Sequence, residues 1–274
     1  MNAPKGFVDL VFSAENQQNY IGMGNPNARI LIIGREPAHD IQNKDDEKQL
    51  LAEKNYKRDQ TLNKSNWRNL IEEKPLTGVL WDGHIEVCNP RRPFPNQKCL
   101  RAYGNNDGTA TTWLWYQKLV DLILGREYDR PYSLRPLDFH DFCFHTDISA
   151  AAKNLATTDK GAKTTSVEER SRELFSHPFF KQFPIVILGI GTDVGKYVPL
   201  EWCDKVLGFP WEEVEKAFNA DEKQPMLWVN RDSKGRRILV HTQSLSQSSW
   251  EYLTKIRDII WADGKSDLCW PKAY

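Results

Sequence analysis

Residues 30–40 read ILIIGREPAHD, four apolar residues running into a glycine, after which Arg35, Glu36, Pro37, His39 and Asp40 crowd together. An apolar run without alternation is the pattern of a strand buried on both faces, as in a parallel sheet. A strand of that kind that stops at a glycine and delivers charge at once is a rigid mount for polar groups. The rest of the chain repeats the theme. PIVILGIG (184–191) is a second strand buried on both faces, followed by glycine. DFHDFCFHTDIS (138–149) reads as an aromatic strand between them. PMLWVNRDSKGRRILVHTQS (225–244) reads as a hairpin with Ser-Lys-Gly at its turn.

Helical stretches lie between these strands. TATTWLWYQKLVDLILG (109–125) starts on threonine and has Gly125 placed to stop it. SVEERSRELFSHPFFKQF (166–183) has Ser166 as N-cap and Glu169 three residues on, a capping-box spacing. SWEYLTKIRDIIWADG (249–264) is a closing amphipathic helix. Strands alternating with helices imply an α/β fold, a three-layer sandwich around a central, mostly parallel sheet. One domain is expected over residues 1–274, its core at about 28–260. Residues 75–108, rich in proline, glycine and asparagine, read as a loop-rich insertion. In such sheets ligands bind beyond the carboxyl ends of the strands, which is where GREPAHD falls.

Composition sets limits on partners. Lys and Arg total 37, as do Asp and Glu, so the formal net charge is zero. Neutrality argues against a chain that coats nucleic acid, although local fields matter more than the sum. The five cysteines are widely spread with no C-x-x-C pair, which suits a reduced cytoplasmic protein. The first twenty residues hold no apolar segment of signal-peptide length, and no stretch is long enough to span a bilayer, so no membrane association is expected.

Several local patterns fail as sites. GIGTDVGKY (189–197) lacks the first glycine of a phosphate-binding loop, since Ile190 stands there, and Tyr197 replaces its hydroxyl residue. It reads as a tight strand-to-helix turn. His140, Cys143 and His145, placed on one strand, point to opposite faces and make no single metal site. Lys54, Lys57, Arg58, Lys64 and Arg68 read as a solvated helix face, with a phosphate-tracking patch as the alternative.

GREPA (34–38) and HTQSLS (241–246) stand at equivalent places after apolar strands. In this the chain resembles the uracil-DNA glycosylase superfamily, which carries motifs such as G-Q-D-P-Y or G-E-A-P-G after its first strand and H-P-S-P-L-S after its last. FHTDIS sits where that family has a strand ending in Thr-Asn. The resemblance implies a uracil-DNA glycosylase-like fold and hydrolysis of the N-glycosidic bond of uracil or another altered base in DNA. It implies that Glu36 activates water, a general-base role worth about 10²–10⁴-fold, and that His241 stabilises the departing base as an oxyanion donor does. Gly34, Arg35, Pro37, His39, Asp147, Ser244 and Ser246 would bind the substrate. Leu245 would be the apolar wedge that holds the gap left by a flipped base, and Tyr103, or else Trp67, would stack that base.

The departures from the family pattern carry chemistry of their own. Glu36 stands where the most active branch has aspartate. Asp147 replaces an amide and has no donor unless protonated, which disfavours uracil. No metal, iron–sulfur cluster or other cofactor is expected. The expected partner is DNA, single-stranded or carrying a damaged base, and the expected state is a monomer. Two other readings stay open: a non-catalytic nucleic-acid or nucleotide-binding module of the same fold, and a small-molecule hydrolase.

Overall fold

A computed structural model describes residues 2–35, 61–74, 79–81, 84–86, 111–126, 138–150, 160–191, 201–210, 215–216, 227–245 and 248–265. Its centre is a seven-stranded sheet. The strands are β1 (Met23–Gly24), β2 (Ile30–Gly34), β5 (Cys143–Asp147), β6 (Ile185–Gly189), β7 (Glu215–Lys216), β8 (Trp228–Arg231) and β9 (Ile238–Thr242). Their spatial order is β1-β5-β2-β6-β9-β8-β7. The four central strands run parallel, and β1, β8 and β7 add antiparallel edges. A separate antiparallel pair, β3 (Val79–Trp81) with β4 (His84–Glu86), lies within the stretch read as loop.

All five residues of each central parallel strand are buried. One face of the sheet carries Leu31, Ile33, Phe144, Val186, Leu188 and Leu239, packed against helices α1 (Lys5–Phe12), α2 (61–71) and α6 (Trp202–Lys205) and the Phe175–Phe183 aromatics. The other carries Ile30, Ile32, Cys143, Ile185, Ile187, Ile238 and Val240. That face is covered by α3 (Thr111–Ile123), which offers Tyr116, Leu119, Val120 and Ile123 at helical spacing, and by α7 (Trp250–Ala262). The layering follows from chain direction. The crossover from β2 to β5 moves one way along the sheet and those from β5 to β6 and β6 to β9 the other, and crossovers of one hand then fall on opposite faces. Between the ends of β2 and β6 the direction reverses. That reversal is the crevice where open α/β sheets bind ligands.

Three local expectations are corrected. The strand read from Asp138 starts only at Cys143, because Phe139–Phe142 form a short helix, α4. Gln117 of α3 causes this: its Oε1 accepts the Asp138 and Phe139 backbone N–H groups at 2.8 and 2.9 Å, taking the donors a strand would have used. The helix expected to begin at Ser166 spans Lys160–Arg170 as α5 and continues as a π-turn over Ser171–Phe175. Ser166 lies inside it, and its hydroxyl accepts the Ala150 N–H at 3.0 Å. The basic helix face is partly inward: Lys64 bonds the Asn16 carbonyl and Arg68 the Val11 carbonyl, within a helix over residues 61–71. These two are tied to the protein rather than offered to phosphate. Lys54, Lys57 and Arg58 lie outside the described residues.

Candidate functional site at the carboxyl ends of the strands

Of the residues proposed from sequence, Glu36, Pro37, His39, Tyr103 and Ser246 lie outside the described residues. Gly34, Arg35, Asp147, His241, Ser244 and Leu245 can be placed. Gly34 pairs in register with Asp147, and the pairing continues past both strands: Ile148 N–H donates to the Gly34 carbonyl at 2.9 Å and Ser149 N–H to the Arg35 carbonyl at 3.1 Å. The GREPA turn and the FHTDIS strand end are therefore laced together by backbone.

A side chain on Gly34 would collide at that point. Its Cβ would lie 2.5 Å from Asp147 Oδ1 and 2.8 Å from the Tyr116 hydroxyl. With glycine there, a carboxylate and a phenol share the space above it. Asp147 is 8 % exposed. His145, two residues earlier on the same face, brings Nε2 to 3.5 Å from Asp147 Oδ1, and its ring centroid lies 5.1 Å from that of Tyr116. Burial, with the nearby Asp147 charge second, pushes the Tyr116 phenol well above its ordinary value, so it stays protonated. The His140 ring also comes within 6.3 Å of His145. The opposite-face expectation for these two fails because His140 belongs to the helix before the strand. Among the described residues no group of three or more His, Cys, Asp or Glu side chains could hold a metal.

Asp147 is also held from below. Arg170 is fully buried and donates from Nε to the Asp147 carbonyl at 3.0 Å, from Nη2 to Thr146 Oγ1 at 2.9 Å and from Nη1 to the Tyr20 carbonyl at 2.7 Å. A rigid guanidinium fork suits this, because its donors diverge in one plane toward separate acceptors.

His241 lies inside β9 rather than after it, and is 1 % exposed. It pairs with Leu188, and Leu188 with Ile33, and Ile33 with Thr146. That row faces away from the row of Asp147, Gly34, Gly189 and Thr242. With three strand spacings between β5 and β9, His241 and Asp147 stand roughly 14 Å apart along the sheet, on opposite faces. The His241 ring stacks on Trp228 at 4.7 Å and 16°. Its Nε2 lies 3.2 Å from the Gly191 carbonyl, so Nε2 carries the hydrogen and donates. Burial pulls the imidazole down to about 4, the Gly191 carbonyl opposing in part, so the ring is neutral near pH 7.

Thr242 and Gln243 are tied into the fold. Thr242 Oγ1 donates to the Gln243 carbonyl at 2.6 Å, and the Tyr252 hydroxyl accepts the Gln243 N–H at 3.3 Å. Ser244 is half-buried, its N close to Gly191, where a Cβ would sit 3.7 Å away. Leu245 turns inward at 1 % exposure, close to Gly189, and joins the core with Ile32 and Ile187. An apolar wedge must be presented outward, so Leu245 would have to leave this seat to enter a duplex. Trp67 is fully buried, donates to the Gly22 carbonyl at 2.9 Å and packs edge-on to Phe7 at 4.7 Å; it is a core residue, not a stacking platform.

Tyr116, His145 and Arg170 are the site residues that the sequence reading missed. A signal existed for Tyr116. It lies in the first half of the crossover helix that follows β2, and such a helix begins above the strand ends. For Arg170 the sequence carries none, because its role depends on contacts with residues 23 to 150 positions away.

No family model matches the chain, and neither a curated protein nor a solved structure matches it.

Proposed function

We propose that the chain hydrolyses the N-glycosidic bond of an altered base in DNA, in the manner of the uracil-DNA glycosylase superfamily that its motifs resemble. The observation that supports this most is the Gly34–Asp147 pairing at the end of β2, the strand that borders the direction reversal, with a buried carboxylate standing over a glycine beside Tyr116. A flat ligand approaching the strand ends would meet fixed polar atoms there. Glu36, two residues past Gly34, follows directly from that mount and activates the attacking water. Water adds to the sugar carbon, the C–N bond breaks, its electron pair leaves with the base, and the water proton passes to the carboxylate. His241 keeps its N–H on the Gly191 carbonyl, roughly 14 Å along the sheet from Asp147 and on its other face, and has no part in this reading.

Incubation with oligonucleotides carrying uracil, hypoxanthine or xanthine, single- and double-stranded, tests the reading. Abasic sites are expected from at least one. Absence of abasic product from all of them, with binding retained, supports the second reading, a binding module of the same fold. That reading draws on two features: the His241 N–H is already given to Gly191, and Leu245 is already buried. Among the described residues no helix is long and apolar enough to cross a membrane.

A further inference from the structure

We propose that the site takes single-stranded DNA, and that Trp250 is the platform on which a base beside the reacting one stacks. The inference rests on the reading that the chain acts on DNA, and it names the state of the strand. In a duplex every base is paired and stacked, and a protein reaches one by pushing an apolar wedge into the gap. Leu245 is not placed to do this. It is 1 % exposed, its Cγ would lie 3.6 Å from a Cβ on Gly189, and it belongs to the same core as Ile187, Tyr252 and Leu253. A single strand asks for no wedge, because its bases already present their faces.

The unstacked bases of such a strand need an aromatic surface. Three large apolar side chains are exposed among the described residues: Phe12, Trp250 and Trp261. Phe12 belongs to α1, on the other face of the sheet from Asp147. Trp261 lies at the far end of α7, roughly 16 Å along the helix from Trp250, and its indole N–H donates to the Ile123 carbonyl at 3.0 Å. Trp250 opens α7, 47 % exposed, in the layer that covers the Asp147 face. Two residues on, the Tyr252 hydroxyl accepts the Gln243 N–H just past the end of β9, so Trp250 stands at the carboxyl ends of the strands. Ser249 caps the helix, and Tyr252 and Leu253 are buried, so the backbone under the indole is fixed. Its exposed neighbours on the helix are Glu251, Lys255 and Asp258, charged rather than apolar. A lone indole among charges offers one flat face, which suits a base, whereas a protein partner needs a continuous apolar patch. Base–aromatic stacking tolerates any sequence, since every base has a π-face.

The test measures equilibrium binding and base release on a labelled oligonucleotide carrying uracil, alone and annealed to its complement, for wild type, Trp250→Ala and Trp250→Phe. Melting temperature is the check on folding. The wild type should bind the single strand roughly 10-fold more tightly than the duplex. Trp250→Ala should weaken single-strand binding roughly 10-fold and leave duplex binding nearly unchanged, and Trp250→Phe, which keeps a flat ring, should recover most of the loss. Equal binding of the two forms by the wild type, or binding of neither, overturns the proposal. Unchanged single-strand binding in a folded Trp250→Ala protein does the same, while base release from uracil would leave the hydrolase reading standing. Single-strand binding that depends on Trp250, without base release from uracil, hypoxanthine or xanthine, supports the platform and removes the hydrolase reading. If Trp250→Ala does not fold, Trp250→Leu, apolar without a flat ring, carries the comparison, and unchanged single-strand binding there is equally fatal.

Discussion

Gly34 shows how much can depend on one missing side chain. Alanine there would place its Cβ 2.5 Å from Asp147 Oδ1 and 2.8 Å from the Tyr116 hydroxyl, both ends of side chains that can yield. Gly34→Ala should cost only about 1 kcal/mol by denaturant unfolding, near the low end for overpacking, yet drive the carboxylate and phenol apart and abolish substrate binding. Equal losses of stability and binding would mean that the glycine serves packing alone. His241 gives a pH prediction. Its folded pKa is about 4, below the ordinary 6.5, so between those values the unfolded chain binds more protons. Its contribution is complete above pH 6.5 and is lost as the pH falls toward 4, on the order of 3 kcal/mol in all. Unfolding curves over that window should show the loss in the wild type and a flatter profile in His241→Gln.

At the scale of elements, the end of β5 depends on Arg170 of α5. Removing its side chain leaves the Asp147 and Tyr20 carbonyls and Thr146 Oγ1 buried without these donors. Arg170→Leu should destabilise the protein by about 3 kcal/mol or more, and Arg170→Lys, with one point donor for three acceptors, should recover only part of that. Equal stability of the leucine variant would show that the clamp is redundant. The closing helix α7 has an ordinary cap, Ser249, whose Oγ accepts the Tyr252 N–H at 3.1 Å. Ser249→Ala should cost about 1 kcal/mol, and because Tyr252 also holds Gln243, the HTQSLS turn should loosen with it, visible as faster amide exchange at Gln243.

Across the whole molecule, what could be read in advance was what is local or periodic. The β2 and β6 strands are apolar on both faces, and Gly125, at φ 63°, ends α3 as its position suggested. The hairpin of β8 and β9 turns at Gly235, φ 60°. What escaped was decided by partners distant in sequence. Gln117 turns Asp138–Phe142 away from strand, Ala150 claims Ser166, and Asn16 claims Lys64. The site divided along the same line. Gly34 and Asp147 could be named from motif order, but the Tyr116 hydroxyl beside them depends on the packed α3. His241 lies inside β9, and the face of the sheet it takes depends on a register that no short motif encodes.

The central proposal is that Glu36, two residues past Gly34, activates the water that cleaves a glycosidic bond. Single-turnover base release by wild type and Glu36→Gln, on an oligonucleotide both bind equally, tests it most directly. The account predicts release by the wild type and a rate about 10²–10⁴-fold lower in the variant. No release by the wild type from any altered base, or release at the same rate by Glu36→Gln, would contradict it.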